Sequence, residues 1–314
     1  MLGKTANGLF WMARYIERAE NVARLIEAGW RMSLVRADRA ETEWAAIATS
    51  AGVFALYAER HGEDHGASQV IDFLLRDPTN PSSAANAIEA ARTNARMVRT
   101  AITREVWEAI NDFWLDLGQR LKRPVGERQL GEVLEGLRRH GALVRGATYG
   151  TMLRNEIFDF MRIGTYLERG DATARILDVK YHVLLPRTED VGGPLDVAQW
   201  EQILRSVQVN RAYMMEYGSE YRADCVAEFL MLNERMPRSL RFCARRVAEH
   251  LDHLAGEYGE RSDACEAATA LARDMDGWSL DEVFRDGLHG ALTGFISRNG
   301  DIAEKIGRTY RFVG

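Results

Sequence analysis

The amino-acid sequence predicts an all-α protein: a large helical bundle built from two duplicated halves in a pseudo-two-fold relation. Proline is the first reason, because only 6 of the 314 residues are proline and proline is excluded from helix interiors. The second reason is that no stretch shows the alternation of apolar and polar residues that is typical of a β-strand. The third is an internal repeat that divides the chain into halves at 1–150 and 151–314.

Apolar residues at helical spacing predict a long first helix over 6–36. Five more helices are predicted in the first half, at 40–60, 67–77, 81–104, 105–121 and 127–148. The second half begins near 152 and repeats this order. Pro81 and Pro237 each precede a helical stretch, and we expect them at the first helical position, where the missing N–H costs nothing.

Two blocks carry the repeat. The segment YIERAENVARLIEA, which begins at Tyr15, matches YLERGDATARILDV, which begins at Tyr166. Residues 44–83 then align without a gap to 200–239, with 12 identities in 40 positions, where chance gives about 2 or 3. The Pro/Gly-rich segment 184–196 accounts for the change of offset between the blocks. We interpret the pattern as a duplication.

The second block ends in FLLRDPTNPSS (73–83) and in FLMLNERMPRS (229–239). In both copies a helix end is followed by Asp77 or Asn233, a short turn, and then proline and serine. Capping of helix ends explains these residues, because their side chains bond free backbone amides.

Composition excludes several classes of protein. The net charge is −5, the pI is about 5.9, and no basic block is present, which argues against a nucleic-acid or anionic-membrane partner. No apolar run is long enough to span a bilayer, and no secretory leader is apparent. The three cysteines lie far apart and predict no disulfide framework. We expect a cytoplasmic protein.

The repeated Glu–Arg helix carries the candidate functional residues. On a helical wheel Glu17, Glu20 and Arg24 share one arc, whereas Arg18 falls about 100° away, near Val22 and Leu25. The second copy repeats this placement. The candidate substrate-binding residues are therefore Glu17, Arg18, Glu20, Arg24, Glu168, Arg169, Asp171 and Arg175.

Two interpretations of these residues stay open at this point. Facing helices could join their charges in a structural ion-pair network across the pseudo-dyad, or could form a charged binding or catalytic cleft. The sequence assigns no catalytic residue and predicts neither a metal nor a cofactor. A di-iron site would need Glu-x-x-His on two helices, which the chain lacks, and Glu249 with His253 offers no identifiable third ligand. The segment GKT at 3–5 lacks the first glycine of a P-loop and its preceding strand.

The motifs WMARYIERAENVARLIE, FLLRDPTNPSS, TYLERGDATARILDVKYH and FLMLNERMPRSLRFC resemble those of the bacterial alpha-E domain family, from Met1 to about Arg311. The resemblance implies an all-helical fold and places the motif residues on Glu17, Arg18, Glu20 and Arg24. In the second copy they fall on Glu168, Arg169, Asp171 and Arg175, with aspartate at 171 in place of glutamate. It also implies a genomic association with circularly permuted ATP-grasp ligases, transglutaminase-like peptidases and proteasome-like hydrolases.

Three functional hypotheses follow. The chain could be the helical partner or subunit of an ATP-grasp-type peptide or amide ligase, with a Glu/Arg-lined cleft for an anionic substrate or intermediate. It could instead be a non-catalytic helical scaffold whose Glu–Arg motifs are structural ion pairs. A third hypothesis is a stand-alone enzyme that acts on an acidic small molecule.

Overall fold

The computed structural model describes residues 1–35, 40–62, 64–183 and 193–312, and none of these residues lies in a β-strand. They form fifteen α-helices: α1 Gly3–Val35, α2 Ala40–Ser50, α3 Phe54–His61, α4 Ala67–Leu75, α5 Ala84–Met97, α6 Arg104–Arg120, α7 Glu127–Thr151, α8 Glu156–Val183, α9 Pro194–Ser206, α10 Asn210–Tyr217, α11 Ala223–Met231, α12 Leu240–Tyr258, α13 Asp263–Asp276, α14 Leu280–Asp286 and α15 Leu288–Thr309. The all-helical prediction is confirmed.

The two longest helices, α1 and α8, form the centre of the molecule. They run side by side in the same direction, because the amino group of Met1 lies 3.4 Å from Glu156 at their starts and Arg18 contacts Glu168 farther along. Their backbones approach closely at Gly164, where a Cβ would overlap the carbonyl oxygen of Phe10. A glycine at this crossing therefore sets the separation of the two helices.

The remaining helices surround this pair. Helices α5 and α7 pack on α1, and α12 and α15 pack on α8. Helix α6 covers α5 and α7, while α13 covers α12 and α15. Their buried apolar residues form one continuous core that extends from Ala6 to Ile306.

The single helix predicted over 40–60 is wrong. The chain forms α2 and α3 instead, separated at residues 51–53, where Gly52 has a φ of +71°. An L-residue with a side chain rarely adopts that conformation, so the helix ends there.

The prediction for Pro81 and Pro237 is also wrong. Neither proline occupies the first helical position, because α5 begins at Ala84 and α12 at Leu240. The caps are Ser83 and Ser239, whose hydroxyls accept hydrogen bonds from the backbone amides of Asn86 and Phe242, three residues farther on, as the capping prediction required.

The helices predicted over 6–36, 67–77, 81–104, 105–121 and 127–148 correspond to α1, α4, α5, α6 and α7, with ends that differ by a few residues. The largest difference is at α5, which ends at Met97 rather than near 104. Most of the predicted Pro/Gly-rich segment, residues 184–192, lies outside the described residues.

Several local features recur 156 residues apart. Helices α3 and α4 have the lengths of α10 and α11 at this spacing, and Gly62 and Gly218 both have a positive φ after the first helix of each pair. The hydroxyl of Tyr57 donates to the carbonyl of Asp64, and that of Tyr213 donates to the carbonyl of Glu220 at 2.8 Å. The same local sequence signals therefore produce the same local structure twice.

No helix within the described part of the chain combines the length and the apolar composition that a bilayer span requires.

Candidate functional site

The two Glu–Arg motifs meet where α1 packs against α8, and their charges pair crosswise. Arg169 forms a bidentate pair with Glu17, through Nε at 3.0 Å and an Nη at 2.9 Å. Arg18 forms the reciprocal pair with Glu168, at 2.6 and 3.1 Å. Each acidic residue thus bonds the arginine of the other motif, which a search along either helix alone could not reveal.

The Glu17 pair lies in the interior. Glu17 is 2% exposed, and Arg238 approaches it at 3.4 Å and Arg145 at 3.8 Å. Glu20 and Arg24 lie beside this pair, bonded to each other at 3.0 Å, and Glu20 also accepts a hydrogen bond from Arg145. The interior cluster therefore contains four arginines and two carboxylates.

The arginines decide the protonation of both crossed carboxylates. Burial alone would raise the pKa of Glu17, but Arg169, Arg238 and Arg145 outweigh it and hold that pKa well below its usual value. Burial likewise opposes ionisation of Glu168, yet Arg18 and Arg14 lower its pKa to about 2. Both carboxylates are therefore charged at neutral pH and are poor candidates for a general base.

The Glu168 pair forms part of the floor of an open cleft between α1, α8 and α15. Arg14 forms a second ion pair with Glu168, at 2.8 Å. One turn along α8, Asp171 and Arg175 pair at 2.7 Å and remain about a quarter to a third exposed. Of the eight predicted residues, Arg18, Glu168, Asp171 and Arg175 line this cleft.

The cleft has a volume of about 600 Å³, the size of pockets that hold small molecules. Val22 and Leu25 supply an apolar side next to Arg18, as the helical wheel predicted. Helix α15 supplies the opposite wall, with Asp301 and Glu304. The cleft therefore offers charges of both signs and an apolar surface.

Asn21 is the residue of this cleft that the sequence interpretation missed. Its side chain is buried, at 5% exposure, and lines the cleft. Neither its amide nitrogen nor its amide oxygen has a hydrogen-bond partner among the described residues, although a buried amide normally finds one. Asn21 stands inside the first motif, but its equivalent in the second copy is Ala172, so the repeat gave no signal for it.

The other four predicted residues do not line this cleft. Glu17, Glu20 and Arg24 are buried beneath α7 and the turn before α12, and Arg169 lines a different pocket between α7, α8 and α12. The arc that the wheel assigned to one charged face is therefore an interior surface in the first copy. In the second copy its equivalents Asp171 and Arg175 are partly exposed.

The histidines of α12 lie in an arrangement that the sequence did not predict. Glu249 pairs with Arg246 at 2.6 Å rather than acting with His253. Instead Nδ1 of His250 lies 2.7 Å from Oδ1 of Asp159, and Nδ1 of His253 lies 3.6 Å from the same oxygen. This group could supply two nitrogens and one carboxylate to a metal. The expectation that the histidines serve no metal stays a prediction.

Comparison of the sequence with known proteins identifies its family. Uncharacterized proteins of Mycobacterium bovis and Mycobacterium tuberculosis are 23–24% identical over 315 aligned residues, which cover 94% of this chain and 35% of each relative. The chain thus spans about a third of the length of these relatives. No solved structure matches. A family model described as a predicted alpha-helical domain with a conserved ER motif matches residues 1–311. The chain therefore belongs to the Alpha-E family.

Proposed function

We propose that the chain is a binding subunit for a small peptide or other amide-linked compound, and that it works with an ATP-grasp-type ligase. The ligand occupies the cleft between α1, α8 and α15. The crossed Glu–Arg pairs hold the two motif helices in register, and the partly exposed charges of the cleft contact the ligand.

The observation that carries this proposal is the buried, unpartnered amide of Asn21. A carboxamide presents an NH2 group that donates and a carbonyl oxygen that accepts, and this pattern complements the C=O and N–H of a peptide bond. An unsatisfied buried amide costs about 1–3 kcal/mol, and a ligand that bonds both of its atoms recovers this cost. A ligand with an amide bond satisfies Asn21 better than one with a carboxylate alone.

The charges around Asn21 suit a ligand with both an ammonium and a carboxylate group. Arg175, which pairs with Asp171, lies on the α8 side of the cleft, while Glu304 and Asp301, the latter paired with Lys305 at 2.6 Å, lie on the α15 side. Guanidinium groups bind carboxylates with bidentate geometry, and the acidic wall favours an ammonium group. The termini of a short peptide carry these two charges.

The test of ligand binding uses a zwitterionic dipeptide, alanylglutamate, in saturation-transfer NMR with the intact protein. We expect saturation transfer to the dipeptide and much weaker transfer to a mixture of free alanine and glutamate. Equal transfer to the free amino acids would contradict a role for the amide bond.

The partnership with an ATP-grasp ligase rests on the family resemblance. It predicts that the chain co-purifies with the ligase encoded beside it and changes the rate at which that ligase hydrolyses ATP. A transglutaminase-like or proteasome-like protein encoded in the same neighbourhood is a further candidate partner. Absence of a complex, together with an unchanged ligase rate, would contradict the partnership but leave dipeptide binding intact.

The second candidate function is a non-catalytic scaffold, and the crossed pairs favour it. Glu17 and Arg169 are almost fully buried and bond each other with bidentate geometry, as a structural ion pair does. The two functions differ at Asn21, which a scaffold does not need.

We also propose that the chain arose by duplication, with halves at 1–150 and 151–314. The recurrence of α3, α4 and the cap of α5 at a spacing of 156 residues supports this proposal. The crossed pairs would then be one interaction made twice across a pseudo-dyad.

A further inference from the structure

A second pocket, separate from the cleft between α1, α8 and α15, lies between α7, α8 and α12. Its volume is about 470 Å³. Among the residues described, no carboxylate lines it, whereas five arginines and one histidine do: Arg145, Arg154, Arg162, Arg169, Arg246 and His250. Its walls also carry aromatic rings, among them Tyr149 and Tyr166. The lining is therefore cationic, although Arg145, Arg169 and Arg246 each pair with a carboxylate that lies outside it.

Arg162 is the most buried arginine of this pocket. It is only 3% exposed, and it forms no ion pair with a carboxylate among the described residues. Its Nε has no hydrogen-bond partner among the described residues. The guanidinium lies 4.6 Å from the ring centre of Tyr149 and 4.5 Å from that of Tyr166. Ring contacts offset part of the cost of burying a cation, but a buried charge normally requires an opposite charge.

Neighbouring arginines increase this imbalance. Arg154 donates to the carbonyls of Tyr149 and Met152, at 2.8 and 3.2 Å, and has no carboxylate partner among the described residues. Arg145 and Arg169 reach the pocket from the interior cluster, in which arginines already outnumber carboxylates. The protein therefore supplies two guanidiniums, those of Arg154 and Arg162, that no side chain neutralises.

We propose that this pocket binds a small organic phosphate, with Arg154 and Arg162 holding the phosphate group. A phosphate monoester carries a charge of about −1.5 to −2 at neutral pH, which matches two uncompensated guanidiniums. A monocarboxylate would neutralise only one. Arginine binds phosphate oxygens with bidentate geometry, and the aromatic walls contact the organic part.

The test measures binding of phenyl phosphate and of inorganic phosphate to the intact protein by isothermal titration calorimetry. We expect phenyl phosphate to bind more tightly than inorganic phosphate, because the rings of the pocket contact its phenyl group. Arg162→Met should weaken both by about tenfold or more, since bonds to charged groups are lost. The Arg162→Met variant should melt at the same temperature as the unchanged protein or at a higher one, because the substitution removes a buried unpaired cation.

The matched control is Arg92→Met. Arg92 also lies against aromatic rings, 4.0 Å from that of Trp114, and bonds Asn111 rather than a carboxylate, but it does not line the pocket. This variant should bind phenyl phosphate normally. If Arg162→Met does not fold, Arg154→Met at the exposed rim provides the same comparison.

Each other outcome overturns the proposal. If Arg162→Met binds phenyl phosphate as tightly as the unchanged protein, or if Arg92→Met loses as much affinity as Arg162→Met, the pocket is not the binding site. Equal affinity for inorganic and phenyl phosphate would show that the pocket does not recognise an organic group. Tighter binding of citrate than of either phosphate would show that the ligand is a polycarboxylate and not a phosphate. Dipeptide binding in the other cleft is unaffected by all of these results.

Discussion

At the scale of single residues, the two ER pairs have different surroundings although their sequences match. Arg169 is buried with Glu17 in the interior, whereas the side chain of Arg18 is 24% exposed at the edge of a cleft. The same Glu–Arg sequence therefore makes a buried ion pair in one direction and a partly exposed ion pair at the edge of the cleft in the other.

Removal of the buried arginine should be costly. We expect Arg169→Ala to lower the free energy of unfolding by about 3–5 kcal/mol, because the buried Glu17 carboxylate would lose its bidentate partner. Denaturant unfolding measures this. The control is Arg104→Ala, which breaks an exposed pair with Glu108 and should change little. A loss for Arg169→Ala no larger than for Arg104→Ala would show that the pair does not support the fold.

Acid should weaken the fold through Glu168. Its pKa is about 2 in the folded protein against an ordinary value of 4.5, so its contribution is complete above pH 4.5 and is lost as the pH falls towards 2. This contribution is about 3 kcal/mol. Unfolding midpoints measured across this interval should fall less steeply for Glu168→Gln than for the unchanged protein. Identical slopes would contradict the assignment.

The sequence predicted some of these residues and missed others for a physical reason. A helical wheel placed Arg18 beside Val22 and Leu25 correctly, because residues on one helix have fixed relative directions. It could not show that Glu17 is buried, since its partner Arg169 lies 152 residues away. Asn21 and Asp159 were missed because each acquires its surroundings only when distant helices pack.

At the scale of elements, the close approach of α1 and α8 determines the site. The crossed pairs form only if the two backbones come near enough, and Gly164 provides the space. The sequence predicted the helices themselves well, because apolar spacing marks them. It missed the break between α2 and α3, where Gly52 adopts a conformation that periodicity does not report.

Substitution of Gly164 by a larger residue should push α1 and α8 apart. We expect Gly164→Ala to lower the free energy of unfolding by about 1–3 kcal/mol, because the new methyl group would overlap the backbone of Phe10. Gly131→Ala is the matched control within α7, where a Cβ meets no atom within 4 Å. That change should stabilise the protein by about 0.5–1 kcal/mol. If Gly164→Ala stabilises the protein as Gly131→Ala does, α1 and α8 are not in close contact at Gly164.

At the scale of the whole molecule, the two proposed halves share one core. The central helix of the first half, α1, packs against the central helix of the second half, α8. The buried apolar residues of both halves form one cluster. We therefore expect a single unfolding transition in scanning calorimetry, with the calorimetric and van't Hoff enthalpies equal. Two resolved transitions would mean that the halves are stable separately.

The proposed binding function depends on the cleft beside this core. The interior pairs need no ligand, whereas Asn21 has an amide that the described protein leaves unbonded. A scaffold would gain stability by replacing Asn21 with an apolar residue and would lose nothing else. A binding subunit would lose its ligand.

The most direct test is therefore calorimetric titration of alanylglutamate into the unchanged protein and into Asn21→Leu. Our account predicts that Asn21→Leu melts at the same or a higher temperature, since an unsatisfied amide is removed. It also predicts that the variant binds the dipeptide about tenfold or more weakly, since both hydrogen bonds between the Asn21 side chain and the dipeptide are lost. A folded Asn21→Leu protein that binds the dipeptide as tightly as the unchanged protein, or an unchanged protein that does not bind it, would contradict the account.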